Sequence, residues 1–263
     1  MSRLNDTSID GLKNLSEVLD GVGYYSVLMV YHSTQPDHWI KAAHILNKNH
    51  KIKYMPAIRT YAMTPEYCAM MCRAFNEIQP NRLMLNIVTG DLKKEEKSIN
   101  DLIYINDLMD TPEKRLKYTS EWIKKFKSFK IDGGFPEIVM SGHSDITNNL
   151  AKEYADYHLS WIGQQTKFIS NKNIISVPIV IRDTYEEAKQ YVIQSEFNEN
   201  VTIFGTEDQV INKLNKIILD NPKITDFMLQ GDAGDIENWY RIHNMSKKII
   251  YLNEEAGENE IIN

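Results

Sequence analysis

The side chains best suited to chemistry fall at the carboxyl ends of short apolar runs. Residues 81–91 read Asn-Arg-Leu-Met-Leu-Asn-Ile-Val-Thr-Gly-Asp, and Asn86 alone interrupts the run from Leu83 to Val88. An amide, a hydroxyl and a glycine (Asn86, Thr89, Gly90) therefore gather where that run ends. A second run ends in Ser141-Gly142-His143-Ser144-Asp145 and opens a helical pattern. Small residues and hydroxyls at a helix amino terminus leave backbone N–H groups pointing outward, which suits an anion such as a phosphate. Ser144 suits a plain helix cap equally well. His32, Ser33, Thr34 and Gln35 close an earlier run, and Arg59 closes the one after it.

Such residues need strands to hold them. Residues 25–31, 53–59, 83–88, 135–141, 157–161, 174–182 and 226–230 read as seven strands, bounded by turn residues and rich in β-branched or aromatic side chains. Helical periodicity fills most of the gaps. Leu12, Leu15, Val18 and Leu19 share one face, as do Trp39, Ala42, Ala43 and Leu46. Thr64 caps a third helix with Pro65 in its first position. Further helices follow Pro112, Ser144, Thr184, Thr206 and Asp235, and a short one spans 164–170. One unbroken alternation without a linker implies a parallel sheet with helices outside it. In such sheets ligands bind at the carboxyl ends of the strands. The expected fold is an α/β, TIM-like (β/α)8 barrel spanning residues 1–252 as one domain. Its first strand is reduced or missing, since only residues 3–5 are available for it. The acidic stretch 253–263 is expected to be a disordered tail. Residues 93–111 form a long excursion after the 83–88 strand, of the kind that serves as a lid. Pro178, inside a strand, predicts a bulge or a lost hydrogen bond.

Composition removes several classes of function. The chain has 263 residues, 42% of them hydrophobic and 25% charged, a normal globular balance. A formal net charge of -6 gives no support to a nucleic-acid partner. No run approaches the roughly 18 apolar residues of a membrane span, and the polar amino terminus lacks a signal-peptide core. A cytoplasmic protein is expected. Cys68 and Cys72, one helical turn apart, lack the second pair that a structural zinc site needs. They are expected to be small buried apolar residues, and no metal site is expected.

Several of these stretches, in this order, resemble the bacterial luciferase-like flavin-dependent monooxygenases, most closely their alkanesulfonate monooxygenase branch. They are Asp37-His38-Trp39 with Ala42-Ala43, Ile58-Arg59, Asn81-Arg82-Leu83 leading into Leu85-Asn86-Ile87-Val88-Thr89-Gly90, Ser141-Gly142-His143-Ser144-Asp145, and Gly205-Thr206-Glu207-Asp208-Gln209-Val210. The resemblance implies an oxidoreductase that takes reduced FMN from a separate flavin reductase and uses oxygen on a small organic substrate. A deazaflavin is the lesser expectation for the cofactor, and a homo-oligomer is expected. Asn86 and Thr89 would meet the flavin ring edge, and Ser141, Gly142, His143 and Ser144 would hold the phosphate. At the mouth, His32 is a candidate to protonate or hydrogen-bond the reacting oxygen, because histidine titrates near neutral pH. Arg59 is a candidate to pair with a substrate anion or the reduced flavin. Tyr31 and Trp161 would wall the pocket.

The departures bear on substrate. The sulfonate branch carries a cysteine where this chain has Gln35, and an arginine and a histidine where it has Ser176 and Pro178. A tyrosine after the last strand's glycine is Asp232 here, and the long lid before Gly205 shrinks to residues 198–200. Sulfonate binding needs fixed positive charge, which these positions no longer supply. A sulfonate substrate is therefore not expected. A non-catalytic flavin-binding barrel derived from this family is the alternative.

Overall fold

The computed structural model describes residues 2–4, 9–31, 36–46, 50–89, 111–164, 172–195, 197–231 and 235–259. Among the described residues nine parallel strands are separated by helices, except that none is described between the sixth and the seventh. The strands are β1 (Ser2–Leu4), β2 (Ser26–Met29), β3 (Lys53–Arg59), β4 (Met84–Val88), β5 (Glu137–Ser141), β6 (Tyr157–Trp161), β7 (Asn173–Ile181), β8 (Ile203–Gly205) and β9 (Ile224–Gln230). The described helices are α1 (Ile9–Val22), α2 (His38–Ile45), α3 (Pro65–Ile78), α4 (Pro112–Lys127), α5 (Asp145–Tyr154), α6 (Tyr185–Gln194), α7 (Glu207–Asp220) and α8 (Ile236–Asn259). α8 thus continues as helix into the 253–263 stretch. All but Gln164 of the short helix expected at 164–170, the excursion between 90 and 110, and His32 to Gln35 lie outside the described residues.

Eight strands close a ring in the order β1 to β7, then β9, then back to β1. The first strand is present but reduced, as the sequence implies. Ser2, Arg3 and Leu4 pair with Val27, Leu28 and Met29, while toward β9 only Ser2 finds a partner, Leu229. β8 stands outside the ring. It pairs with Ile179–Ile181, the part of β7 that projects beyond its ladder with β6. Pro178 marks this handover, being the last β7 residue paired with β9, through Gln230. The expected irregularity does occur in β7, but at Asn173/Ile174 rather than at the proline.

Alternation along each strand divides the core in two. Leu28, Met55, Ala57, Met84, Val139, Leu159, Ile174 and Met228 pack inside the ring. Their outward neighbours, among them Val27, Tyr54, Ile58, Leu85, Ile87, Ile138 and Met140, pack against the helices. Period-2 alternation produces this division directly. Cys68 and Cys72 are fully buried in the outer layer, where burial raises the Cys68 thiol well above its usual range.

The amino-terminal ends of the strands are closed by charge. Lys53 Nζ lies 2.6 Å from Glu137 Oε2, and the Tyr25 hydroxyl donates to the same carboxylate oxygen at 2.7 Å. Buried Arg82 donates from Nε to Ile52 O at 2.7 Å and from Nη1 to His50 O, tying the start of β4 to that of β3. Polar groups at the opposite rim are left for a site.

Candidate active site

Parallel register fixes which side chains meet at the carboxyl rim. Asn86 lies beside Ala57 and Val139, and Val88 lies between Arg59 and Ser141. A cavity of about 180 Å³ opens there among Tyr31, Arg59, Asn86, Ser141, Trp161 and Gln230, over a floor that includes Leu28, Ala57 and Met228. Its wall is apolar with a few convergent polar groups, the usual make-up of a small-molecule site.

Asn86 and Ser141 are both buried, and the Ser141 hydroxyl donates to Asn86 Oδ1 at 2.6 Å. This bond fixes the amide so that its NH2 faces elsewhere. At the far side Gln230 Nε2 donates to the Ser176 hydroxyl, and both are buried. The Ser176 hydroxyl is therefore neutral, buried and paired.

The turn after β5 is pinned from two sides. Gly142 N donates to Leu159 O at 3.1 Å, and His158 Nε2 donates to Gly142 O at 2.7 Å. Gly142 has φ of 149°, and a Cβ there would sit 2.6 Å from Thr147 Cγ2. Only glycine fits this position without displacing α5. Ser144 is the N-cap of α5, accepting from Thr147 N, and its hydroxyl contacts the Thr147 hydroxyl at 2.8 Å. His143, Ser144 and Asp145 are exposed. Asp145 puts a carboxylate in the first helical turn, where it shares the positive end of the helix dipole with any bound anion.

A second buried histidine anchors the other wall. His38 Nε2 donates to Ala57 O at 2.7 Å, and its ring meets Tyr31 edge to face at 5.7 Å. Asp37 caps α2 by accepting from Ile40 N at 2.9 Å, and Trp39 is buried in the outer core. The Asp37-His38-Trp39 motif thus shapes the mouth without entering the cavity. Burial lowers the pKa of both His38 and His158, each opposed by its carbonyl partner, so both rings are held neutral. A carbonyl acceptor requires the proton on Nε2 in each.

Of the site residues expected from sequence, Arg59, Asn86 and Ser141 come together in one cavity, with Tyr31 and Trp161 on its wall. Gly142, His143 and Ser144 continue from Ser141 along the same rim. Thr89 is half-buried just past β4 and does not line the cavity. His32 lies outside the described residues. His158, Ser176 and Gln230 went unassigned as functional in the sequence. Only the strand-end position of Gln230, directly before Gly231, could have pointed to it. Among the described residues no group of three or more His, Cys, Asp or Glu could hold a metal ion. No described helix is long and apolar enough to cross a membrane.

Comparison with known proteins accords with this arrangement. Residues 2–129 match the model of the luciferase-like monooxygenase family. A long-chain alkane monooxygenase shares the fold at a TM-score of 0.74 and 10% identity, over 94% of this chain and 85% of that one. The oxygenating constituent of 3,6-diketocamphane monooxygenase from the CAM plasmid of Pseudomonas putida, solved with FMN, gives 0.70 and 15% over 91% of each chain. An F420-dependent secondary alcohol dehydrogenase, solved with an F420-acetone adduct, gives 0.63 and 13% over 89% of this chain and 93% of that one. The match to the luciferase-like monooxygenase family model thus covers just under half of the chain, and the fold of these monooxygenases extends over nearly all of it.

Proposed function

We propose that the protein is a flavin-dependent monooxygenase that binds reduced FMN, delivered by a separate reductase, and oxidises a small organic substrate other than a sulfonate. The observation that carries this reading is the buried Ser141–Asn86 pair in a cavity shared with Arg59, continuous with the glycine turn that starts α5. The cradle fits a flavin in its parts. Gly142 lets the turn pack against Thr147 where a Cβ would clash, and the α5 amino terminus suits a phosphate. Arg59 supplies positive charge beside the Asn86 amide, suited to an electron-rich ring edge. When bound, reduced FMN supplies the activation of oxygen. The chain's own residues orient the ring through Asn86 and Ser141 and exclude water with Tyr31 and Trp161, and the candidate proton donor is His32, which lies outside the described residues. F420, a deazaflavin, is the lesser candidate. It rests on the likeness to the alcohol dehydrogenase.

Oxygen uptake with reduced FMN and a panel of ketones, aldehydes, amines, alkanes and sulfonates tests the proposal. Substrate-dependent uptake with stoichiometric oxygenated product is expected from at least one non-sulfonate class. The neutral Ser176–Gln230 pair favours a second reading, a flavin-binding barrel without catalysis. Uptake that never couples to product would select it. A homo-oligomer accords with the exposed face of α3, where Tyr67, Met70 and Ile78 form one apolar stripe. Sedimentation of wild type and Met70→Lys should show a multimer that weakens in the variant.

A further inference from the structure

We propose that His158 is a positioning residue whose hydrogen bond to Gly142 O aims the His143 N–H at the phosphate of bound FMN. The inference rests on the flavin reading above and adds a residue to it. Tyr157 and Leu159 belong to the cluster inside the ring, so His158, between them on β6, faces the helix layer. It is buried, and its Nε2 lies 2.7 Å from Gly142 O. The Gly142 carbonyl is therefore drawn outward, toward the helices. In a trans peptide the C=O and the following N–H point in opposite directions, and the described chain contains no cis peptide bond. Fixing Gly142 O in the outer layer thus turns the His143 N–H inward, over the cavity rim. Gly142 N is already committed to Leu159 O, so both ends of the glycine are held by β6.

The need for such a clamp follows from the glycine. With φ of 149° and no Cβ, Gly142 has little intrinsic preference for one orientation of its peptide plane. An amide left to rotate binds an anion weakly, because ordering it must be supplied by the ligand. A neutral histidine, buried where water cannot compete for the carbonyl, supplies that order in advance. The Asp145 carboxylate at the same turn makes the aim more important, since an unaimed phosphate would meet negative charge.

The test compares FMN with riboflavin, which lacks the phosphate, by anaerobic titration of the dithionite-reduced forms on wild type, His158→Leu and His158→Gln. Glutamine places its amide N–H about where Nε2 stands, whereas leucine supplies no donor. Wild type should prefer FMN. His158→Leu should lose about tenfold of that preference while riboflavin affinity holds, as expected for one hydrogen bond to a charged group. His158→Gln should keep it. Should His158→Leu fail to fold, His158→Asn, whose amide falls short of Gly142 O, takes its place with the same expectation. Equal weakening toward both flavins, or an unchanged ratio, overturns the positioning role and leaves the flavin reading standing. A wild type that binds neither flavin, or both equally, overturns the phosphate reading and this role with it.

Discussion

Ser141 and Gly142 are adjacent and do opposite work. The Ser141 hydroxyl gives the buried Asn86 Oδ1 a donor at 2.6 Å. Ser141→Ala removes it and leaves a buried acceptor unpaired, a cost of about 1–3 kcal/mol in folding stability. Urea unfolding of the purified variant measures that cost. The same change should weaken reduced-FMN binding, because the Asn86 amide loses its fixed orientation. Gly142→Ala acts through shape alone. Its methyl would meet Thr147 Cγ2 at 2.6 Å, with a backbone angle that side chains rarely adopt. A loss of about 1–3 kcal/mol follows. Thr147→Ser, which deletes the methyl in the way, should recover part of it. A double variant no more stable than Gly142→Ala alone would show that backbone strain, not the contact, sets the cost.

At the scale of the elements, the last turn of β7 is the least expected feature. Beyond Pro178 the strand has left β9, and its exposed edge would lack partners. Asn238, fully buried on α8, fills the gap. Its Nδ2 donates to Ile179 O at 2.8 Å, and its Oδ1 accepts from Ile181 N at 2.8 Å. One side chain substitutes for a strand, and Asp235, paired with Arg182 at 2.5 Å, caps the helix that carries it. Asn238→Leu, close in size, orphans a buried C=O and a buried N–H at once. It should cost about 2–4 kcal/mol, and hydrogen exchange at the Ile181 amide should accelerate well beyond that at Val177. This device was not legible in the sequence, because Asn238 and Ile179 lie 59 positions apart and nothing local marks the pair. The same limit hid His158, which reads as one residue in a short strand and acquires its role only through Gly142. What was legible rests on short-range signals. Alternating apolar residues placed β3 and β6 to the residue. Thr64, Thr184 and Thr206 each cap the helix that follows. The carboxyl-end rule then gathered Arg59, Asn86 and Ser141 on one rim without any knowledge of distance. β8 escaped notice because three residues outside the ring carry too little pattern.

For the whole molecule, the buried histidines set how the barrel meets acid. His38, His158 and His243 all have pKa values lowered by burial, and His243, packed between Tyr24 and Trp239 with Lys247 adding repulsion, falls to about 4. A histidine whose folded pKa lies below its unfolded value near 6.5 takes up protons more readily when the chain unfolds. Its contribution to stability is complete above about pH 6.5 and is lost as pH falls through the window down to the folded pKa. The carboxylates act lower. Burial works to raise Glu137, but Lys53 and Tyr25 overcome it and hold the group below its usual range. Asp235 is likewise held below by its bonds to Asn238 and Arg182 against the effect of burial. Their stabilisation persists above about pH 4 and fades only below it. The melting temperature should therefore fall in two stages, first between about pH 6.5 and 4 and again below that range. His243 isolates the first stage, because it sits on α8 against Tyr24 and Trp239, does not line the cavity, and neither ring nitrogen has a hydrogen-bond partner. His243→Phe should flatten the decline between pH 6.5 and 4 and leave the lower stage in place. It should also leave reduced-FMN binding at neutral pH unchanged, since the ring is already neutral there and far from the rim. A melting curve whose upper stage is as steep in His243→Phe as in wild type would assign the acid sensitivity to the rim histidines instead, and FMN affinity should then fall with pH in step with stability.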